Sequence, residues 1–243
     1  MLAHFLEEEG LPTTQISLIR RHTEVIKPPR ALWVPFDLGR PLGAPNDAAF
    51  QKRVLVAALK LLEATEGPVL VDYPEEAPVT GEPVSLACPY IPVREDAGTT
   101  DRDRLCRSFR MEIASLRPWY DIAIGKRQRT TVGVSRLAPD NLGGFICSFL
   151  AENNPENPRT DISLAQELRY AADDLKAYYN EAVTAQPGMT TSDSEALARW
   201  FWENTVAGKV LLAVREKCAK SEDTVLQRIG GGQIVPRRFV PQP

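Results

Sequence analysis

Three groups of residues carry side chains suited to chemistry. Cys88, in the proline-rich stretch SLACPYIP, is the candidate nucleophile or redox centre. A thiol there becomes reactive only where a neighbouring cation depresses its pKa. No second cysteine lies close enough in sequence to resolve a sulfenate, and Cys106, Cys147 and Cys218 follow at separations of 18, 41 and 71 residues. Those spacings match neither Cys-x-x-Cys nor a zinc-ribbon pattern, so free buried thiols are expected, with Cys147 and Cys218 as core-filling residues. With only two histidines, His4 and His22, neither a metal site nor a cofactor is expected.

The second group is basic. Arg20, Arg21, His22, Lys27 and Arg30 cluster within eleven positions. An arginine fork there suits the carboxylate of an amino-acid-like ligand. The competing reading is a solvated face paired with Glu7, Glu8 and Glu9. The third group is the loop Gly39-Arg40-Pro41-Leu42-Gly43-Ala44-Pro45-Asn46, which runs towards a helix start. A loop of this kind can turn backbone N–H groups and the positive end of a helix dipole towards an anion. It can equally be a tight strand-to-helix turn, since its prolines lack donors and no phosphate-binding glycine fingerprint is present. Arg20, Arg30, Gly39, Arg40, Gly43 and Asn46 are therefore the candidate ligand-binding residues. Trp200, Phe201 and Trp202 cannot all face one side of an α-helix, which predicts at least one ring on a pocket wall or interface. Asp121, Lys126, Arg127 and Arg129 beside Trp119 and Tyr120 read either as a polar pocket or as a charged helix end.

The elements that would position these groups follow from periodicity. TTQISLIR (13–20) alternates and is β-branched-rich, ALWVPF (31–36) is a short apolar run between prolines, and PVLVDY follows Gly67; all three predict strands. Asn46 or Asp47 caps a helix to about Glu66, with Phe50, Val54, Ala57, Ala58 and Leu61 on one face. Prolines 74, 78, 83, 89 and 92 predict extended segments, a lid or an interface arm. A helix from Asp101 is expected to end at Pro118, TTVGVS (130–135) to form a strand, and Asp140 to cap a short helix. Capping boxes at Ser163/Gln166 and Ser192/Glu195 each open a long helix.

The expected fold is α/β, with α+β as the alternative: an open mixed or parallel sheet in the amino-terminal half and a mainly helical carboxy-terminal half. One domain over 1–243 is expected, α/β to about 137 and helical over about 138–229. The tail 230–243 is expected to be extended and to pack on the surface or on a neighbouring subunit.

Residues 6–66 resemble the carboxy-terminal part of the selenoprotein B family, the substrate-reducing subunits of glycine, sarcosine, betaine and D-proline reductases. The likeness is carried by Gly10, Leu11, Pro12, Thr13, Ile16, Ser17, Pro28, Pro29, Arg30, Gly39, Pro41, Leu42, Gly43, Pro45 and Gln51. It implies a bacterial-type reductase subunit that works with a partner chain. In such enzymes a selenol or thiol attacks the substrate carbon, while the substrate amine is held as an imine on a pyruvoyl group of the partner. In those reductases the redox residue lies upstream of this segment, and no cysteine precedes Cys88 here. The resemblance thus implies a reductase-like subunit, or a diverged relative without the nucleophile, that binds a small carboxylate. A thiol-dependent enzyme using Cys88 and a protein-interaction subunit are the alternatives.

Composition narrows the partners. A hydrophobic fraction of 43%, a charged fraction of 25% and a net charge of −3 are ordinary for a globular protein and predict neither nucleic acid nor an anionic membrane as partner. No apolar run approaches the roughly 20 residues that span a bilayer. The amino terminus carries neither a basic nor an apolar leader region, so a cytoplasmic location is expected. A small-molecule ligand and a partner subunit or homo-oligomer complete the expectation.

Overall fold

The computed structural model describes residues 2–77, 100–187 and 194–241. They fall into two compact units, divided after Thr80. Cys88, most of the proline-rich arm and the Ser192 capping box lie outside the described residues.

In the first unit, α1 (Leu2–Glu8) precedes β1 (Gln15–Ser17), α2 (Arg20–Ile26), β2 (Arg30–Trp33), α3 (Ala48–Lys60) and β3 (Val69–Asp72). The three strands form one parallel sheet in the order β1-β2-β3, with Ser17 opposite Trp33 and Trp33 opposite Asp72. The α/β expectation therefore holds at this coarse level, although the sheet is small. Parallel strands need crossovers, and the two helical segments α2 and α3 supply them. Asp47 caps α3 by accepting from the Phe50 N–H at 3.0 Å. The helix buries Phe50, Val54 and Ala58 against Leu32, Val34, Phe36 and Tyr73. Phe36, Phe50 and Tyr73 form an aromatic triad with centroids 5.4–6.1 Å apart, in the tilted and edge-on geometries that ring quadrupoles favour.

The second unit is helical among its described residues: α4 (Asp101–Arg127), α5 (Pro139–Ser148), α6 (Leu164–Thr184), α7 (Ser194–Arg199), α8 (Val206–Ala219) and α9 (Thr224–Gly230). Several expectations fail here for identifiable reasons. Helix α4 runs through Pro118 instead of ending there. Its buried stripe Phe109, Ile113, Leu116 continues as Tyr120 and Ala123, so burial against α6 outweighs one lost backbone hydrogen bond. Residues 130–135 do not form a strand, because their donors are taken by carboxylates of α6. Glu181 accepts from Thr131 N at 2.7 Å and from the Thr130 and Thr131 hydroxyls at 2.9 and 2.8 Å. Asp174 accepts from the N–H groups of Gly133, Val134 and Ser135 at 2.9–3.1 Å and from the Ser135 hydroxyl at 2.6 Å. Spaced seven residues apart, the two acids share one face of α6 and tie the connecting segment along it.

Ala138 rather than Asp140 is the cap residue of α5; Pro139 opens its first turn, and Asp140 instead pairs with Arg117 at 2.8 Å. Gly143 lets α5 approach α4, since a Cβ there would stand 2.8 Å from Ile113 Cδ1. That approach sets Cys106 of α4 and Cys147 of α5 with Cα atoms 5.9 Å apart, and they form a disulfide. The expectation of free thiols is thus corrected for this pair, whose proximity is spatial and leaves no mark in sequence spacing. Cys218 is a free, buried thiol, and burial pushes its pKa up to about 11.

Ser163 caps α6 through the Gln166 N–H at 3.2 Å, as its sequence signature predicts. The aromatic run meets the expectation of a ring on a pocket wall, but not its premise that the three rings cannot share one side. Residues Trp200–Asn204 form a π-helical turn, whose wider spacing lets Trp200, Phe201 and Trp202 all enter the core at 3, 3 and 6% exposure. Phe201 and Trp202 also line a small cavity of about 170 Å³. The tail is not a surface strap: Ile234 and Val235 are 1% exposed, and Phe239 stacks on Trp202 at 5.9 Å. Buried Glu112 of α4 receives the open end of α8, accepting from Val206 N (2.8 Å), Ala207 N (3.0 Å) and the Tyr179 hydroxyl (2.7 Å).

Candidate functional site

In open parallel sheets, ligands collect outside the carboxyl ends of the strands, where successive connections diverge. In the first unit that edge is bounded by Ser17, Trp33 and Asp72. Helix α2 leaves it after β1, the 34–47 connection after β2, and Tyr73–Glu75 after β3. Arg20 and the Gly39–Asn46 loop thus lie in connections from the same edge.

Arg20 is already engaged. Its Nε donates to both oxygens of Asp72 at 3.1 and 3.3 Å, and its guanidinium also pairs with Glu24 one turn along α2. Arg30 opens β2 and so stands at the opposite, amino-terminal end of the sheet. There it pairs with Glu7 at 2.7 Å and donates to the Ala64 carbonyl at 2.8 and 3.1 Å. The Thr13 N–H and then Arg30 hold the Glu7 carboxyl below its ordinary pKa. Arg30 fastens α1 and the turn after α3 to the sheet and does not join Arg20 in a ligand clamp; its pairing with Glu7 is the ion pair of the competing reading.

The loop is two linked turns. Arg40 N donates to Asp37 O and Gly43 N to Arg40 O, both at 2.9 Å, so these two amides are consumed within the loop. Gly39 (φ +87°) and Gly43 (φ +85°) adopt the left-handed conformation that glycine tolerates best. Gly43 has a second reason to lack a side chain: a Cβ would meet the Phe50 ring at 2.7 and 2.9 Å. Asn46 is also left-handed (φ +65°), and Gln51 of α3 ties the loop down by donating to Ala44 O at 2.8 Å. Arg40 is half-buried and has no ion-pair partner among the described residues.

The same Phe50 ring borders a cluster that residue type and spacing did not single out. Arg53, one turn into α3, places its guanidinium 5.2 Å from the Phe50 centroid. It donates to Glu75 at 2.8 and 3.3 Å, and the Tyr73 hydroxyl donates to Glu75 at 3.0 Å. The Arg53 hydrogen bond, then that of Tyr73, holds the Glu75 carboxyl below its usual range; burial and the Glu75 charge raise the Tyr73 phenol. The only signal in sequence was the carboxylate two residues past the Val-Asp-Tyr strand end. The loop thus contributes one half-buried guanidinium, that of Arg40, without an ion-pair partner among the described residues, and α3 contributes a second, that of Arg53, held by an exchangeable carboxylate beside the buried Phe50 ring. Such a set can bind a small carboxylate, but it contains no nucleophile.

In the second unit, a cleft of about 720 Å³ lies between the end of α5 and the α8–α9 corner. Four of its charged groups are occupied locally: Lys217 donates to Glu152 O, Lys220 pairs with Glu216, and Asp223 caps α9. Among the described residues no three histidine, cysteine or acidic side chains gather as metal ligands, and no helix is long and apolar enough to cross a membrane. No family model, curated protein or solved structure matches the chain.

Proposed function

We propose that this chain is a reductase-like subunit of the glycine/D-proline reductase B type, or a diverged relative without its nucleophile. In either case it binds a small amino-acid-like carboxylate at the carboxyl edge of its parallel sheet. The observation that carries the reading is the guanidinium of Arg40, without an ion-pair partner among the described residues and set in the glycine-rich turn where the residue pattern of the resemblance converges. Arg53 is the second cation for the same ligand. An incoming carboxylate can take the bidentate place that Glu75 holds, because exchanging one exposed carboxylate for another on a guanidinium costs little in solution. Cys88, the residue of the thiol-enzyme alternative, lies outside the described residues.

The test is titration of the full chain with glycine, sarcosine, betaine and D-proline, followed by isothermal calorimetry and by amide shifts of residues 39–53. Saturable binding that Arg40→Ala and Arg53→Ala each weaken about tenfold, the worth of one charge-assisted contact, is expected. The chain alone should show no turnover of glycine or proline with dithiol reductants. Absence of binding at tens of millimolar, or turnover by the isolated chain, overturns the proposal.

A further inference from the structure

Helix α3 is apolar on two faces. Phe50, Val54 and Ala58 point into the core, yet Leu55, Val56 and Leu59 on the outer side are 43, 42 and 56% exposed, and Leu62, in the 3₁₀ turn Leu61–Glu63 that continues the helix, is 36% exposed. A helix apolar all round is normally covered all round. The bias extends to the unit: twelve of the sixteen exposed large apolar side chains among the described residues lie at or before Val71.

The outer face has a polarity that indicates what covers it. At the 100° step of an α-helix, Lys52, Val56 and Leu59 fall along one line of α3 with Leu55 beside it, and Glu63 ends the 3₁₀ turn that continues the helix. Lys52 begins this seam and Glu63 ends it, about 18 Å away at roughly 1.5 Å per residue along α3 and 2.0 Å through the 3₁₀ turn. Neither charge has an ion-pair partner among the described residues.

We infer that this seam is a two-fold contact with a second copy of the chain, α3 packing antiparallel on its symmetry mate. A two-fold axis between Val56 and Leu59 sets Val56 against the partner's Leu59 and Leu59 against the partner's Val56. It also brings Lys52 to the partner's Glu63 at both ends of the seam. An isologous contact requires such self-complementarity. A parallel pairing would instead set lysine beside lysine. The inference goes beyond the ligand reading and does not depend on it.

One helix pair covers less than the roughly 1,200 Å² of a standard interface, so the dimer is weak and concentration-dependent. Sedimentation velocity of the full chain between about 1 and 500 µM should show a reversible monomer–dimer equilibrium. Leu59→Asp, at a 56% exposed position, should raise the dissociation constant at least about tenfold while circular dichroism and melting stay unchanged. Lys52→Glu and Glu63→Lys should each weaken association several-fold, because each sets like charges at both ends of the seam. The double variant Lys52→Glu/Glu63→Lys should recover the wild-type constant within about threefold, because the pair is restored with its signs exchanged. A chain that stays monomeric throughout, a dimer indifferent to Leu59→Asp, or a double variant no better than the singles overturns the inference.

Discussion

Gly39 and Gly43 occupy the same backbone region four residues apart, yet the loop should tolerate an added methyl group very differently at the two. At Gly39 (φ +87°) a Cβ meets nothing within 4 Å, so alanine there bears only the left-handed backbone penalty, about 1–2 kcal/mol. At Gly43 (φ +85°) the same penalty is joined by overlap with the Phe50 ring at 2.7 and 2.9 Å. That ring is 1% exposed and held edge-on by Tyr73, so it cannot swing into solvent. Overpacking of this kind adds about 1–3 kcal/mol, for a total near 3.5 kcal/mol. The readout is native-state hydrogen exchange at β2, where Val34 N donates to Ser17 O at 2.9 Å and reports the opening of this unit alone. With about 1.4 kcal/mol per decade, Gly39→Ala should speed exchange roughly tenfold and Gly43→Ala roughly 300-fold. Equal acceleration by the two variants would refute the claim that the loop is locked by its seat on Phe50. It would also remove the reason for placing Gly43 beside Arg53 in one site.

Three further outcomes test the helical unit. Glu112→Ala strands two backbone donors at the head of α8 and removes the Tyr179 hydroxyl's bond to Glu112; at about 1–3 kcal/mol per orphaned donor, less the relief of no longer burying a carboxylate, the net loss should be about 3 kcal/mol. Urea unfolding followed through Trp200 and Trp202 fluorescence measures it, and a loss under about 1 kcal/mol contradicts the capping role. The Asp161 carboxyl, held down mainly by the Arg159 hydrogen bond, should titrate at about 2 by NMR and return towards 3.8 in Arg159→Ala. Because its pKa is lowered by folding, its stabilising contribution is complete above the ordinary value of 3.8 and fades as the pH falls towards 2. Cys218, with its thiol raised to about 11, should resist iodoacetamide at pH 8 in the folded protein, and Cys106 and Cys147 should label only after reduction, as read by peptide mass spectrometry.

What could be read from the chain sorts by the range of the interaction that decides it. The three strand positions, the face of α3 and the Ser163 cap depend on residues within one or two turns of each other, and local pattern marks them. Pro118 was misleading because a stripe continuing across it is buried by a helix that begins at Leu164, far along the chain. TTVGVS carries strand propensity, but Asp174 and Glu181, some forty to fifty residues later, take its donors. The three consecutive aromatics looked incompatible with one face only because an α-helical period was assumed where the chain forms a π turn. In each case a distant partner, or a different helical pitch, overrides the local rule.

The arginines carry the same lesson into the site. Residue type alone marked Arg20 and Arg30 as equal forks for a carboxylate. Arg20 is held by Asp72 from β3 and Arg30 by Glu7 from α1, partners that only the assembled sheet brings within reach. A guanidinium already held by a carboxylate of its own chain binds a ligand only by exchange, whereas one without such a partner binds directly. Sequence can therefore nominate cations, while availability is a tertiary property, and it favours Arg40, without an ion-pair partner among the described residues, over Arg20 and Arg30, with Arg53 as an exchangeable second. If Arg40→Ala leaves carboxylate binding intact while Arg20→Ala abolishes it, availability is the wrong criterion. The ligand would then have to displace Asp72 at the first turn of α2, and the site would centre on β1 rather than on the loop after β2.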